Sequence, residues 1–142
     1  MKYLFYLLIL SLFFVQGCVG PPEYSDGLLE NTPAVINETD YFSLSLLGDK
    51  YTEKIEWNLL FNANSTASLL TTLVTKDVNT SSTDSTSLLL MNELGDTVLN
   101  AFIWNEIIFT SLDSLSSIGI PSKVVLESDK FNGRLEYQII IN

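Results

Sequence analysis

Residue types that do chemistry are sparse in this 142-residue chain. It contains no histidine and one cysteine, Cys18. Histidine is the commonest metal ligand and the usual acid–base group near neutral pH. Its absence excludes a His/Cys zinc site and both the Ser-His-Asp and Cys-His catalytic sets. The sequence therefore assigns no catalytic residue, no metal ligand and no cofactor, and reads as a non-enzyme. Carboxylates remain. Glu53 with Glu56, and Glu106 with Asp113, are nominal pairs for glycoside hydrolysis, which needs two acids about 5–10 Å apart in a cleft. Nothing in their surroundings marks either pair. Asp77, Asn79, Ser81 and Asp84 space oxygens like the start of a calcium loop. Ser82 and Leu88 stand where that loop requires Gly and Glu, so a solvated polar loop is the better reading.

Two further sets of residues suggest surface chemistry. Asn37-Glu38-Thr39, Asn64-Ser65-Thr66 and Asn79-Thr80-Ser81 are N-glycosylation sequons, and all three fall where turns or loops are expected. Trp57 and Trp104, with Tyr41, Tyr51 and Tyr137, could line a sugar-binding face. Aromatics on alternating strand positions are more often core, and Trp57 shares its face with Ile55 and Leu59. Trp104, at a strand end beside Asn105-Glu106, is the better candidate for an exposed contact.

Location is the best-supported reading. Lys2 precedes an apolar run from Tyr3 to Val15, broken only by Ser11, and Val15-Gln16-Gly17-Cys18 follows. A basic start, an apolar stretch and a small residue before the cut make a secretory signal. The run falls short of the 20 or so residues that span a bilayer comfortably. Val15, Gly17 and Cys18 resemble the lipobox of prokaryotic (bacterial or archaeal) lipoproteins, with Gln16 a departure where a small residue is usual. The resemblance implies cleavage before Cys18, a lipid on its thiol, and a protein held on the cell membrane, facing outside the cytoplasm. The residues themselves also allow an uncleaved anchor helix over Tyr3–Gly20, an ordinary signal cut elsewhere, or a buried core helix. With Cys18 lipidated, the mature chain holds no disulfide and depends on its core alone.

Seventeen Asp and Glu against seven Lys and Arg give a net charge of −10, and loss of Lys2 with the leader makes the remainder one unit more negative. Nucleic acid is a poor partner, because binding it needs clustered cations to displace counterions. Cations, basic proteins and neutral polymers are easier to accommodate.

The chain divides into a leader (1–17), a Pro-rich acidic tether (18–40) and one domain (41–142). Gly20, Pro21, Pro22, Gly27 and Pro33, with Glu23, Asp26, Glu30 and Glu38, make the tether extended. From Tyr41 short apolar runs alternate with polar turns. Phe42, Leu44 and Leu46 alternate with serines, Gly48-Asp49 reads as a turn, and Lys54–Phe61 as the next strand. Ala67–Thr75 reads as a strand by its Thr, Leu and Val content, although Leu69, Leu70, Leu73 and Val74 could also line a short helix. Residues 76–87 read as a mobile polar loop. Leu88–Met91 and Thr97–Trp104 flank the turn Asn92–Asp96. Ile107–Ser111 is a strand, 112–121 a Ser-rich connection and Ser122–Glu127 a strand. Asn132-Gly133 gives the strongest hairpin signal, returning the chain into Arg134–Ile141. About eight short strands with no long amphipathic helix indicate an all-β fold, a single antiparallel sandwich or jelly roll, behind an N-terminal signal or anchor helix.

The opening strand Asp40-Tyr41-Phe42-Ser43-Leu44, then Ile55-Glu56-Trp57-Asn58-Leu59, and the closing Lys123–Glu127 and Leu135–Ile139 resemble secreted β-sandwiches of the pre-peptidase C-terminal and Golgi-dynamics (GOLD) type. That resemblance implies a non-catalytic binding or accessory module. The aspartates of its calcium-binding members have no clear counterpart here. The expected function is thus a membrane-anchored extracellular lipoprotein serving as a binding, adhesion or envelope-accessory module for protein or glycan at the cell surface. Two alternatives remain: a surface subunit that pairs strand to strand with its own copies, along Arg134–Ile141, and a small carboxylate hydrolase.

Overall fold

The computed structural model describes residues 27–81 and 84–142. The leader, Cys18 and any N-terminal helix lie outside the described residues. The described residues form nine strands and one helical turn, in order: β1 (Ala34–Asn37), β2 (Tyr41–Tyr51), β3 (Lys54–Asn58), β4 (Ser68–Lys76), β5 (Ser85–Asn92), β6 (Thr97–Phe102), β7 (Ile108–Ser114), α1 (Leu115–Ile118), β8 (Pro121–Asp129) and β9 (Phe131–Ile141). No helix among the described residues is long and apolar enough to cross a membrane.

The strand order names the architecture. One sheet runs β1-β2-β9-β4-β7 and the other β3-β8-β5-β6, and these strands pair antiparallel throughout, with one isolated parallel bridge, Glu30 to Leu47, outside them. The pairs β2·β9, β3·β8, β4·β7 and β5·β6 are nested, as in one long hairpin folded at the β5–β6 turn. Rolling that ribbon brings β9 beside β4 and β8 beside β5. This is a jelly roll, with β1 added outside β2. From β2 onward, consecutive strands cross between sheets except at β5–β6.

Alternation builds the core. On β4, Leu69, Thr71, Leu73 and Thr75 are buried while Leu70, Thr72 and Val74 are half-buried on the other face, so the period is two and the alternative helical face does not form. Phe42, Leu44 and Leu46 on β2 and Leu135, Tyr137 and Ile139 on β9 are fully buried and sit side by side in register. Phe42 of one sheet meets Trp57 of the other, ring centroids 6.2 Å apart. Buried Thr86 and Ser128 join hydroxyls at 3.1 Å, and the Ser128 hydroxyl also donates to the Tyr51 carbonyl at 2.9 Å. Burial, with Glu53 beside it, pushes the Tyr51 hydroxyl up to about 12.

Among the described residues one buried polar side-chain atom is left over. The Tyr137 hydroxyl has no hydrogen-bond partner, and burial drives its pKa well above the usual tyrosine value. An unpaired buried hydroxyl costs about 1–3 kcal/mol. Tyr137→Phe is therefore expected to stabilise the domain by about 1–2 kcal/mol, read as a higher denaturant midpoint at unchanged slope. A lower midpoint would show that the hydroxyl has a partner.

The structure corrects several expectations. Gly48-Asp49 is no turn: β2 continues to Tyr51 through an irregularity. Gly48 is there because a Cβ would lie 2.6 Å from the Phe131 ring and 2.8 Å from its carbonyl oxygen. Asn132-Gly133 forms no hairpin. Strands β8 and β9 belong to different sheets, the chain turns at Lys130 with φ 57°, and Asn132 and Gly133 already lie in β9. Arg134–Ile141 is consequently part of a central strand, between β2 and β4, and offers no free edge. Strand β5 begins at Ser85, inside the segment expected as a loop, and β7 extends to Ser114 before α1 replaces the irregular connection.

The segment read as tether also contributes structure. Ala34–Asn37 pairs with Phe42–Ser45. Asn31 Nδ2 donates to the Asp49 carbonyl and its Oδ1 accepts from the Asp49 amide, both at 2.9 Å, like an extra rung on β2.

Candidate functional site

The two sides of the sandwich differ. On one side β1 and β3 are laced together. Asn37 Nδ2 donates to the Asn58 carbonyl at 2.8 Å, and Asn37 Oδ1 accepts from the Leu60 amide at 3.2 Å. Cross-strand ion pairs Lys54–Glu127 and Lys123–Glu56, each 3.1 Å, cover the adjoining face of the second sheet. Charged edges of this kind discourage strand addition.

On the other side lie β6, β7 and the corner 103–107 that carries the chain from one sheet to the other. Its main chain is held from several directions. Ile103 is buried and its amide donates to the Thr86 carbonyl at 2.8 Å. The buried Thr75 hydroxyl donates to the Asn105 carbonyl at 3.1 Å and accepts from the Ile107 amide at 2.8 Å. Glu106 Oε1 accepts from the Asp77 amide at 3.0 Å, and the Thr80 hydroxyl donates to the Trp104 carbonyl at 2.9 Å.

This fixed corner displays apolar surface. Trp104 is 69% exposed and Phe102 52% exposed. Their rings stack at 5.9 Å with only 15° between planes. Beside the corner an open groove of about 570 Å³ is lined by Thr75, Lys76, Asp77, Glu106 and Ile108. Aromatic faces with nearby charged and hydroxyl groups can stack on one side of a ligand and hydrogen-bond its rim. Trp57, by contrast, is half-buried against the core.

Of the nominal acid pairs, Glu106 and Asp113 are held apart. Glu106 precedes β7 and Asp113 lies near its far end, so strand rise alone separates them by about 16 Å or more. Glu56 is engaged by Lys123 on an exposed face, and Glu53 accepts from the Tyr51 hydroxyl at 3.4 Å. Of the calcium-like set, Asp84 accepts from the Ser81 amide and hydroxyl, both at 2.7 Å, closing a local turn. Among the described residues no three Asp, Glu or Cys side chains are grouped to hold a metal ion.

The three sequons differ in geometry. Asn37 is committed to the lacing of β1 to β3. Asn64 is exposed and accepts from the Thr66 amide at 3.0 Å and hydroxyl at 2.5 Å, and Asn79 is exposed in the loop that follows β4. Sequence reasoning missed Phe102 and Ile108. The spacing of Phe102 and Trp104, two residues apart and so on one side of an extended chain, was the available signal for the pair. No family model matches the chain, and neither a curated protein nor a solved structure matches it.

Proposed function

We propose that this chain is a membrane-anchored extracellular lipoprotein whose jelly-roll body is a non-catalytic binding module. The observation that carries the binding role is the stacked Phe102–Trp104 pair, held in solvent on a hydrogen-bonded corner beside a groove. Exposed large aromatics on a rigid platform are the side chains that dominate contact energies. The net charge of −10 disfavours polyanions, and the groove's Lys76, Asp77 and Glu106 offer donors and acceptors to hydroxyls. A neutral glycan chain fits this chemistry best. Support for the anchor is the Lys2–Cys18 leader with its single thiol.

Two measurements test the reading. Intact mass from the native membrane should match cleavage before Cys18 plus lipid, with hexose on Asn64 or Asn79 wherever the sequons are used. A full-length mass with a free thiol overturns the anchor. For binding, the full chain is titrated with neutral oligosaccharides by isothermal calorimetry, and Trp104→Ala is titrated in the same way. Loss of an aromatic platform should weaken binding about tenfold or more. Equal affinity in the two proteins removes Trp104 from the contact.

A further inference from the structure

We infer that β7 is a self-pairing edge that joins two copies of this chain through an antiparallel β7–β7 contact. β7 ends its sheet, and its register with β4 runs without a shift from Ile108 to Ser114. The amide of Thr75 donates to the Ile107 carbonyl, and the amide of Leu115 to the Ala67 carbonyl. These bonds fix the phase. Odd-numbered residues of β7 turn their backbone groups to β4, so Ile108, Thr110, Leu112 and Ser114 present theirs at the free edge. On the outer face of the same strand Ile108 is 85% and Leu112 68% exposed. The strand has no Pro, Lys, Arg or Glu, its one charge being Asp113 on the half-buried inner face, and a regular edge with apolar residues on its outer face can recruit another strand.

The occupant follows from the order of residues. With Thr110 on a two-fold axis, Thr110 faces Thr110, and Ile108 faces Leu112 of the second copy twice over. Those are favourable cross-strand pairs, and each joins residues whose backbone groups point outward. Charge agrees with this register. Asp113 falls opposite Ile107 and Glu106 opposite Ser114, so no two carboxylates oppose each other despite the acidity of the chain. The two five-stranded sheets become one of ten strands, centred on β7. On the opposite side Lys54, Glu56, Lys123 and Glu127 charge the β3 edge of the second sheet, and the edge strand β1 is only four residues long and tied to β3 by Asn37.

The test uses the full chain in its membrane. Thr110→Cys places two thiols on residues about 5.5 Å apart between Cα atoms across a hydrogen-bonded pair, within disulfide reach. Ala34→Cys on β1 is the control, and it also reports any dimer formed through Cys18. Under mild oxidation Thr110→Cys should give about fivefold more disulfide dimer than Ala34→Cys, as expected for an edge that pairs rather than collides. Peptide mass should show the new thiol joined to its own counterpart in the second copy. Leu112→Lys, an exposed change that leaves the fold intact, should weaken dimerisation of the otherwise native chain about tenfold by ultracentrifugation in detergent. Equal crosslinking of the two cysteine variants, or capture of the thiol introduced by Thr110→Cys by a different protein, overturns the inference. So does a native chain that sediments as a monomer at the highest concentration reached.

Discussion

Gly133→Ala is expected to cost roughly 2–6 kcal/mol, combining backbone strain of about 1–3 kcal/mol with overpacking of about the same size. Domains of this kind hold about 5–15 kcal/mol in all, so the variant should fold poorly at moderate temperature. Two causes act at once. Gly133 has φ 132°, a backbone conformation that side chains resist, and a Cβ there would lie 2.8 Å from the Lys76 carbonyl oxygen, 3.0 Å from that of Asp77 and 3.0 Å from the Val78 Cα. All three are backbone atoms at and just beyond the end of β4, so none can swing away as a side chain would. The position is where β9, newly arrived from the other sheet, presses against β4 on one side while Gly48 of β2 lies opposite on the other. Gly95→Ala is the matched control. Gly95 has φ 86° but nothing within 4 Å of its Cβ position, so it carries the backbone cost alone, about 1–2 kcal/mol. Denaturant titration of both variants separates the effects. Equal losses would mean that the close approach contributes nothing.

That glycine also shows where the fold was legible in the sequence and where it was not. Alternation marked Phe42, Leu44 and Leu46, and Leu135, Tyr137 and Ile139, as inward-facing, and the structure buries all six. Period-two patterning is a local property, and burial of one face reads it directly. Connectivity is not local. Asn132-Gly133 has the residues of a two-residue hairpin, yet in a jelly roll the chain must leave one sheet for the other at nearly every turn. The turn residues serve a crossing and a close contact instead. The β5–β6 turn, where the sequence signal and the topology agree, is a true hairpin: Asn92 Oδ1 accepts from the amides of Leu94 and Asp96. Strand β1 was hidden for the opposite reason. Four residues behind a proline in an acidic stretch look like tether, and it is the neighbouring β2 that supplies their backbone ladder. At the site, Trp104 was visible because polar Asn105-Glu106 follow it. Ile108 reads as ordinary strand core, and only the position of β7 at the end of its sheet exposes it.

The second large effect is expected at Phe42. Phe42→Ala should destabilise the domain by about 3–5 kcal/mol, the range for truncating a buried phenylalanine. Phe42 is fully buried and lies where the sandwich first closes. Strand β2 passes to β3 by changing sheets, and the contact across that step is Phe42 on Trp57, tilted by 54°. Within its own sheet Phe42 meets Tyr137 edge-on, centroids 6.3 Å apart at 65°. Alanine removes both contacts and leaves a cavity between rigid rings that cannot easily collapse into it. Phe42→Leu keeps most of the volume and should cost less, about 1–1.5 kcal/mol. The two tryptophans make the result local as well as global. Trp57 should become more accessible to a soluble quencher in Phe42→Ala, while Trp104, already exposed on the opposite side of the sandwich, should not change. If Trp104 responds and Trp57 does not, the ring packing between the sheets is other than described, and the corner bearing Trp104 is coupled to the core through a different route.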